Sequence, residues 1–274
     1  MKTAFKISPE AEVAGKCDLV IEAGAESVSF LYYLKEAQRA EGLFIYHFDK
    51  NISPITWAEN LFHFLAKNEL PPFAASHIIY NFREFTLVPA SIVSPGDEAA
   101  MLNILYGSNG LVTCRQQAIP DEKMVLLYRI PIEVEELLQQ QFPQADAQHA
   151  VGIQVSCVKN KQVTLYAVMY QASFKIMLFK DAQLQLLQFV DYNTPADVAY
   201  HLMNACEQHQ ISPAETTLML SGFVDKKSNL YDELYRYFAD IDMDDNLLVK
   251  QSEALDHYPA HFFSHLNMLA QCAL

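Results

Sequence analysis

Apolar positions near the start of the chain gather in three short runs, at roughly 17–23, 26–35 and 42–48, each rich in Val, Ile, Phe or Tyr. The polar stretches AGAE and KEAQRAEG separate them, so the pattern predicts a three-strand meander. In PITWAENLFHFLAK the spacing changes. Ile55, Leu61, Phe62 and Leu65 recur near the helical period behind a Ser53-Pro54 start, which predicts a helix. After the Pro71-Pro72 break, SHIIYNF reads as a strand. FTLVPASIV reads as a strand ending at Pro95-Gly96, DEAAMLNILYG as a helix, KMVLLYRI as a strand and PIEVEELLQQQF as a helix with acids in its first turn.

The second half returns to the same order with a different sequence. VTLYAVMY, SFKIMLFK and LQLLQFVDY predict another meander at roughly 162–191, and TPADVAYHLMNACEQH a helix with Thr194 as its cap and Pro195 at its first position. TTLMLSG reads as a buried strand, SNLYDELYRYF as a helix capped by Ser228, NLLVK as a last strand and PAHFFSHLNMLAQCA as a closing helix. The intervening AQHAVGIQVSCVKN alternates like a strand, yet also sets Ala150, Ile153 and Cys157 on one helical face; the helix is the preferred reading. No linker rich in Gly, Ser and Pro divides the chain, and the pattern turns over near Phe142-Pro143. Two closely packed lobes, 1–142 and 143–274, are therefore expected.

Composition narrows the classes of function. With 51% hydrophobic residues in 274, the chain can bury a sizeable core. Its 19 Lys and Arg against 33 Asp and Glu give a net charge of −14, which repels a phosphate backbone and argues against nucleic acid as a partner. No apolar stretch approaches the 18 residues of a membrane span. The N-terminus MKTAFKISPEAEV lacks the apolar run of a signal peptide, so direct membrane insertion is not expected and a cytoplasmic location is. Cys17, Cys114, Cys157, Cys206 and Cys272 are scattered and odd in number, which predicts reduced, mostly core thiols.

Candidate chemistry is sparse. In LVIEAGAESVSFLYYL, from Leu19 to Leu34, Glu22 and Gly24 stand where an apolar run turns back on itself. A carboxylate there can position a metal ion while a glycine admits phosphate oxygens to backbone N–H groups; a plain tight turn asks for the same residues. His257, His261 and His265 are spaced four apart and with Asp256 resemble a zinc set, but Pro259 breaks the first interval, so packing is the preferred reading. The run Asp240, Asp242, Asp244, Asp245 imitates a calcium loop, yet Asp245 takes the place of its glycine and Gln251 that of its bidentate acid; a solvated loop is expected. A two-metal nuclease needs a carboxylate cluster beside a basic face, and neither is evident. No Ser-His-Asp or Cys-His set can be named.

Two successive β-β-β-α-β-α units are the plan of the actin-like ATPases, and the residues resemble that superfamily. LVIEAGAESVSFLYYL resembles the first phosphate hairpin of the FtsA and PilM families, with Glu22 and Gly24 on their Asp-x-Gly. VMYQASFKIMLFKDAQLQLLQF is similar to the second hairpin, LMLSGFVDKKSNLYDELYRYF to the adenosine loop and its helix, and HFFSHLNMLAQCA to the closing helix. FTLVPASI, FVDYNTPADVAYHL and LMLSGFVDKKSNLYDELYRYF resemble more closely a bacterial domain family of unknown function within that superfamily. The resemblance implies an α/β fold of two RNase H-like lobes in an actin-like ATPase arrangement.

Departures from the pattern bear on activity. Such an ATPase needs a carboxylate for magnesium in the first hairpin, an acidic, glycine-rich second hairpin and paired glycines against the adenosine. Here the segment Val168-Met169-Tyr170-Gln171-Ala172-Ser173 has neither acid nor glycine, and Phe223 follows Gly222 where a second glycine belongs. Glu22, Gly24, Met169, Tyr170, Gln171, Gly222 and Phe223 then mark a vestigial nucleotide cleft, in which Glu22, Gly24 and Gly222 serve as turn residues. The resemblance implies a non-catalytic, pseudo-ATPase scaffold with no cofactor and no metal. Its partner would be a protein, with a homodimer among the candidates. The alternative is an ATP-binding ATPase or small-molecule kinase that uses Glu22.

Overall fold

The computed structural model describes residues 1–274 except 95, 120–122, 158–162 and 246–248. The chain divides into two compact units, Met1–Cys157 with Val249–Leu255 and Leu269–Leu274, and Val158–Leu248 with Asp256–Met268.

In the first unit β1 (Lys2–Ile7), α1 (Ala11–Ala14), β2 (Asp18–Gly24), β3 (Ser27–Leu34), β4 (Arg39–His47), α2 (Pro54–Lys67) and β5 (Ala75–Asn81) come first. They are followed by β6 (Phe85–Pro89), α3 (Glu98–Tyr106), β7 (Val112–Ile119), β8 (Met124–Pro131), α4 (Ile132–Gln141), β9 (Asp146–His149) and α5 (Ala150–Cys157). The main sheet runs β1-β4-β3-β2-β5-β9, with β15 (Lys250–Gln251) also paired to β4. A separate three-stranded sheet, β6-β8-β7, is inserted before α4. Strands β2, β3 and β4 are antiparallel, the meander read from the sequence, and β5 adds parallel to β2. Ser53 caps α2, its hydroxyl accepting from the Thr56 N–H, with Pro54 at the first position where no N–H is needed.

The second unit holds β10 (Thr164–Met169), β11 (Ser173–Lys180), β12 (Gln183–Asp191), α6 (Pro195–Gln208), β13 (Thr217–Gly222), α7 (Asn229–Leu234) and β14 (Asp240–Met243). The last helix, α8 (Ser264–Ala273), contributes residues to both units. The sheet order β12-β11-β10-β13-β14 repeats β4-β3-β2-β5-β9, each with its first three strands antiparallel and the last two parallel. Thr194 forms a full capping box with Asp197 at the start of α6.

The core explains why β10 and β11 carry long apolar runs. Leu165, Ala167, Phe174, Ile176, Leu178 and Leu218 share one side of the sheet with Val198, Leu202 and Leu234 of the helices, while Val168, Tyr170, Met177 and Phe179 cluster on the other. Strands covered on both faces lose the polar alternation of half-exposed ones.

Several expectations change. Asp240–Met243 is a strand parallel to β13, not a solvated loop; Asp240 and Asp242 point to solvent from it while Met243 is buried. With so few apolar residues its alternation is nearly silent in sequence. Of the strand read at NLLVK, residues 246–248 lie outside the described residues, and Lys250 pairs with Arg39 of β4. Strands β1, β7 and β9 were not legible, and FTLVPASIV leaves the extended conformation at Pro89, followed by a 3-10 turn at Ala90–Ile92. The helix read in AQHAVGIQVSCVKN is α5, preceded by the short strand β9.

Cysteines supply another correction. Cys157 and Cys272 form a disulfide within the first unit, across 115 residues of sequence. A pair so far apart has no spacing signature, so only folding reveals it. Cys17 and Cys206 are buried thiols as expected, and burial pushes each up to about 11.

Candidate functional site: the two hairpins and the loop after β13

Glu22 lies inside β2, opposite Ser29 of β3 and Ile79 of β5, so it is not a turn residue. Strand alternation turns its side chain into the interior, where it is 3% exposed. Its carboxylate accepts a 2.8 Å hydrogen bond from Nδ2 of Asn81 at the end of β5. Gly24 closes β2 in register with Asn81, and a Cβ there would meet the Asn81 carbonyl oxygen at 3.3 Å. The buried Trp57 indole N–H donates to the Gly24 carbonyl at 3.0 Å, and Arg83 pairs with Glu26 at 2.8 Å. Thus α2, β5 and the residues just after β5 together hold the hairpin tip through Trp57, Asn81 and Arg83. None of the three was legible as a site residue, since each reads as part of an ordinary element or its end.

The second hairpin is built from different material. Met169 and Tyr170 are buried, and Gln171 alone of the three is exposed. The Tyr170 N–H donates to the Ser173 carbonyl at 2.9 Å, and the Tyr192 hydroxyl to the Tyr170 carbonyl at 3.1 Å. The Tyr170 ring packs edge-on against His265, with centroids 5.6 Å apart. Lys175, one turn of the pleat into β11, is wholly buried, its ammonium 4.9 Å from the centre of the Phe189 ring. Burial, aided by the Lys175 charge, pushes His265 down to about 3, so its imidazole is neutral near pH 7. Of the two lysines in SFKIMLFK, Lys175 was the available signal: unlike Lys180, which ends the strand, it stands among apolar residues and is a polar group the fold must accommodate.

β13 brings the third motif beside the second. Its parallel register sets Gly222 opposite Met169, at the C-terminal ends of both strands. Gly222 has φ +83°, and a Cβ there would stand 2.2 Å from the Met169 carbonyl oxygen. That oxygen accepts from the Phe223 N–H at 3.0 Å. The Phe223 ring packs edge-on against Phe262 at 6.4 Å. Ser221 is buried with its Oγ 2.7 Å from Ser264 Oγ, and His261 Nε2 lies 2.7 Å from the Val224 carbonyl oxygen.

Fold therefore gathers Glu22 and Gly24 with Asn81 in the first unit, and Met169, Tyr170, Gly222 and Phe223 in the second. Both groups stand at the C-terminal ends of parallel strands, where α/β sheets commonly place ligands. His257 is exposed and His261 is engaged with Val224, so the three histidines form no common set. Among the described residues no three His, Cys, Asp or Glu side chains are arranged to hold a metal ion. No helix among them is long and apolar enough to cross a membrane.

Similarity to solved structures follows the architecture. A Bacteroides thetaiotaomicron VPI-5482 protein with actin-like ATPase fold and unknown function matches with a TM-score of 0.74 at 16% identity, over 95% of this chain and 98% of that one. The PilM–PilN type IV pilus biogenesis complex matches with a TM-score of 0.61 at 11% identity, over 94% and 98%. The ethanolamine utilization protein EutJ from Carboxydothermus hydrogenoformans gives 0.52 at 6% identity, over 93% and 89%. Among curated proteins none matches the chain. At such identities the likeness establishes the actin-like ATPase fold and leaves activity open. Sequence places the chain more closely: it belongs to the family described as protein of unknown function DUF3822, whose model matches residues 8–241.

Proposed function

We propose that this protein is a non-catalytic, cytoplasmic scaffold of actin-like fold whose partners are proteins, its nucleotide positions given over to internal packing. One observation carries the reading: the polar groups at the strand ends already serve the chain itself. Glu22 accepts from Asn81, the Phe223 N–H donates to Met169, and the Tyr170 ring rests on His265. A phosphate group would have to displace these contacts and would find no carboxylate or glycine in the second hairpin. The likeness to PilM, solved in a complex with PilN, supports an assembly role by analogy of fold.

Melting scans with ATP and magnesium test the proposal, with AMP and EDTA as controls. A ligand at 100 times its dissociation constant adds about 2.7 kcal/mol to the native state, and a chain of this size gains roughly 2–4 °C per kcal/mol. The expected shift is none. A rise above about 4 °C that needs both ATP and magnesium overturns the scaffold reading in favour of an ATP-binding protein using Glu22.

A further inference from the structure

β8 sets a cation among apolar neighbours. In MVLLYRIP, Arg129 stands between Tyr128 and Ile130 and is only 2% exposed, so its guanidinium N–H groups must be met inside the protein. They are met in part. Nη1 donates to the Glu84 carboxylate at 3.0 Å, and Nη2 donates to Asn103 Oδ1 and to the Gly107 carbonyl at 2.7 Å, whereas the buried Nε has no hydrogen-bond partner among the described residues.

Arg129 lines a cavity of about 380 Å³ that lies wholly within the first unit. Its size suits a small molecule, for which roughly 300–1,000 Å³ is usual. Phe82, Leu111 and Pro131 give the cavity an apolar wall, while Arg83, Asn109 and Arg129 bring N–H groups to it. The polar part is rich in donors. Arg83 pairs at 2.8 Å with Glu26, and Asn109 uses its Oδ1 to accept from the Leu111 N–H at 2.9 Å, which leaves the amide NH2 as its other polar end. Among the described lining residues Glu84 is the single acid, and Arg129 already holds it.

We propose that this cavity binds a small monocarboxylate with an apolar body, its carboxylate toward Arg83, Asn109 and Arg129 and its body against Phe82, Leu111 and Pro131. Chemistry selects the class. An ionised carboxylate only accepts hydrogen bonds, so it answers a lining made of guanidinium and amide donors, and charge assistance places such bonds among the stronger ones. An ammonium would add donors where donors already exceed acceptors, and an alcohol carries no charge. The two guanidinium groups facing one acid also set this lining apart from a chain whose net charge is −14. The apolar wall favours an acid with a hydrocarbon body over a bare inorganic anion.

Calorimetric titration of the full chain with octanoate, 1-octanol and octylamine tests the proposal. Octanoate is expected to bind one to one, the alcohol about tenfold more weakly and the amine more weakly still. Leu111→Asp, at an exposed position of the wall, sets a charge against the apolar body and is expected to raise the octanoate dissociation constant about tenfold, with the melting point unchanged. Asn109→Asp, also exposed, turns a donor into a like charge while keeping an oxygen for the Leu111 N–H. It is expected to act in the same direction and supplies the test should the first variant fail to fold. A chain that takes up no octanoate at millimolar concentration overturns the proposal, as does an alcohol bound as tightly as the acid or octanoate binding that neither substitution weakens.

Discussion

The two meanders share strand order and direction but stabilise their ends by different means. In the first unit a buried acid meets a buried amide, Glu22 with Asn81, and an indole N–H from α2 caps the Gly24 carbonyl. In the second the ends are packed: Met169 and Tyr170 fill the hairpin, and the chain passes Gly222 so closely that a Cβ would collide with backbone. A duplicated topology therefore requires only the periodicity of its strands and helices; the strand ends are free to diverge. The first unit is also crosslinked by Cys157–Cys272, whereas the described cysteine of the second, Cys206, is a free thiol.

Reducing the crosslink gives the largest expected difference between the units. A disulfide closing a loop of this length is worth about 4 kcal/mol, chiefly through the unfolded chain, so dithiothreitol or Cys272→Ser is expected to lower the melting point by on the order of 10 °C. Mass spectrometry of the alkylated protein checks that the pair is oxidised beforehand. A melting point indifferent to reductant would remove this asymmetry.

Glycine substitutions compare the hairpin ends directly. Gly222→Ala forces a side chain into the left-handed region and against the Met169 carbonyl, at an expected cost of about 3 kcal/mol. Gly24→Ala meets its nearest neighbour at 3.3 Å and is expected to cost about 1 kcal/mol or less. Urea titration of both variants measures the difference; equal costs would mean that the second end is no more tightly packed than the first.

Glu22→Ala is expected to fall between the two glycine substitutions and separates two views of that residue. A turn acid would contribute under about 1 kcal/mol, whereas removing a buried partner of Asn81 is expected to cost about 2 kcal/mol. The same denaturation experiment decides between them, and Glu22→Gln should recover part of the loss by keeping an acceptor oxygen for the Asn81 amide.

Much of the architecture was fixed locally. Alternation in SVSFLYYL and SFKIMLFK, the Ser53-Pro54 and Thr194-Pro195 starts and the 3.6-residue spacing of α2 and α6 each act within a few residues, so the doubled β-β-β-α-β-α order could be read without a structure. Glu22, Gly24, Gly222 and Phe223 were also singled out in advance, because motif positions are local too. Tertiary structure decided what each of them touches. Asn81 lies 59 residues from Glu22, Met169 meets Gly222 across a parallel ladder, and Cys157 finds Cys272 over 115 residues. The weakest strands followed the same division: β9 and β14 have four residues each and gain order from the parallel neighbours they join rather than from their own alternation. A sequence records preferences along the chain, whereas contacts between distant segments exist only once the sheet has set their register.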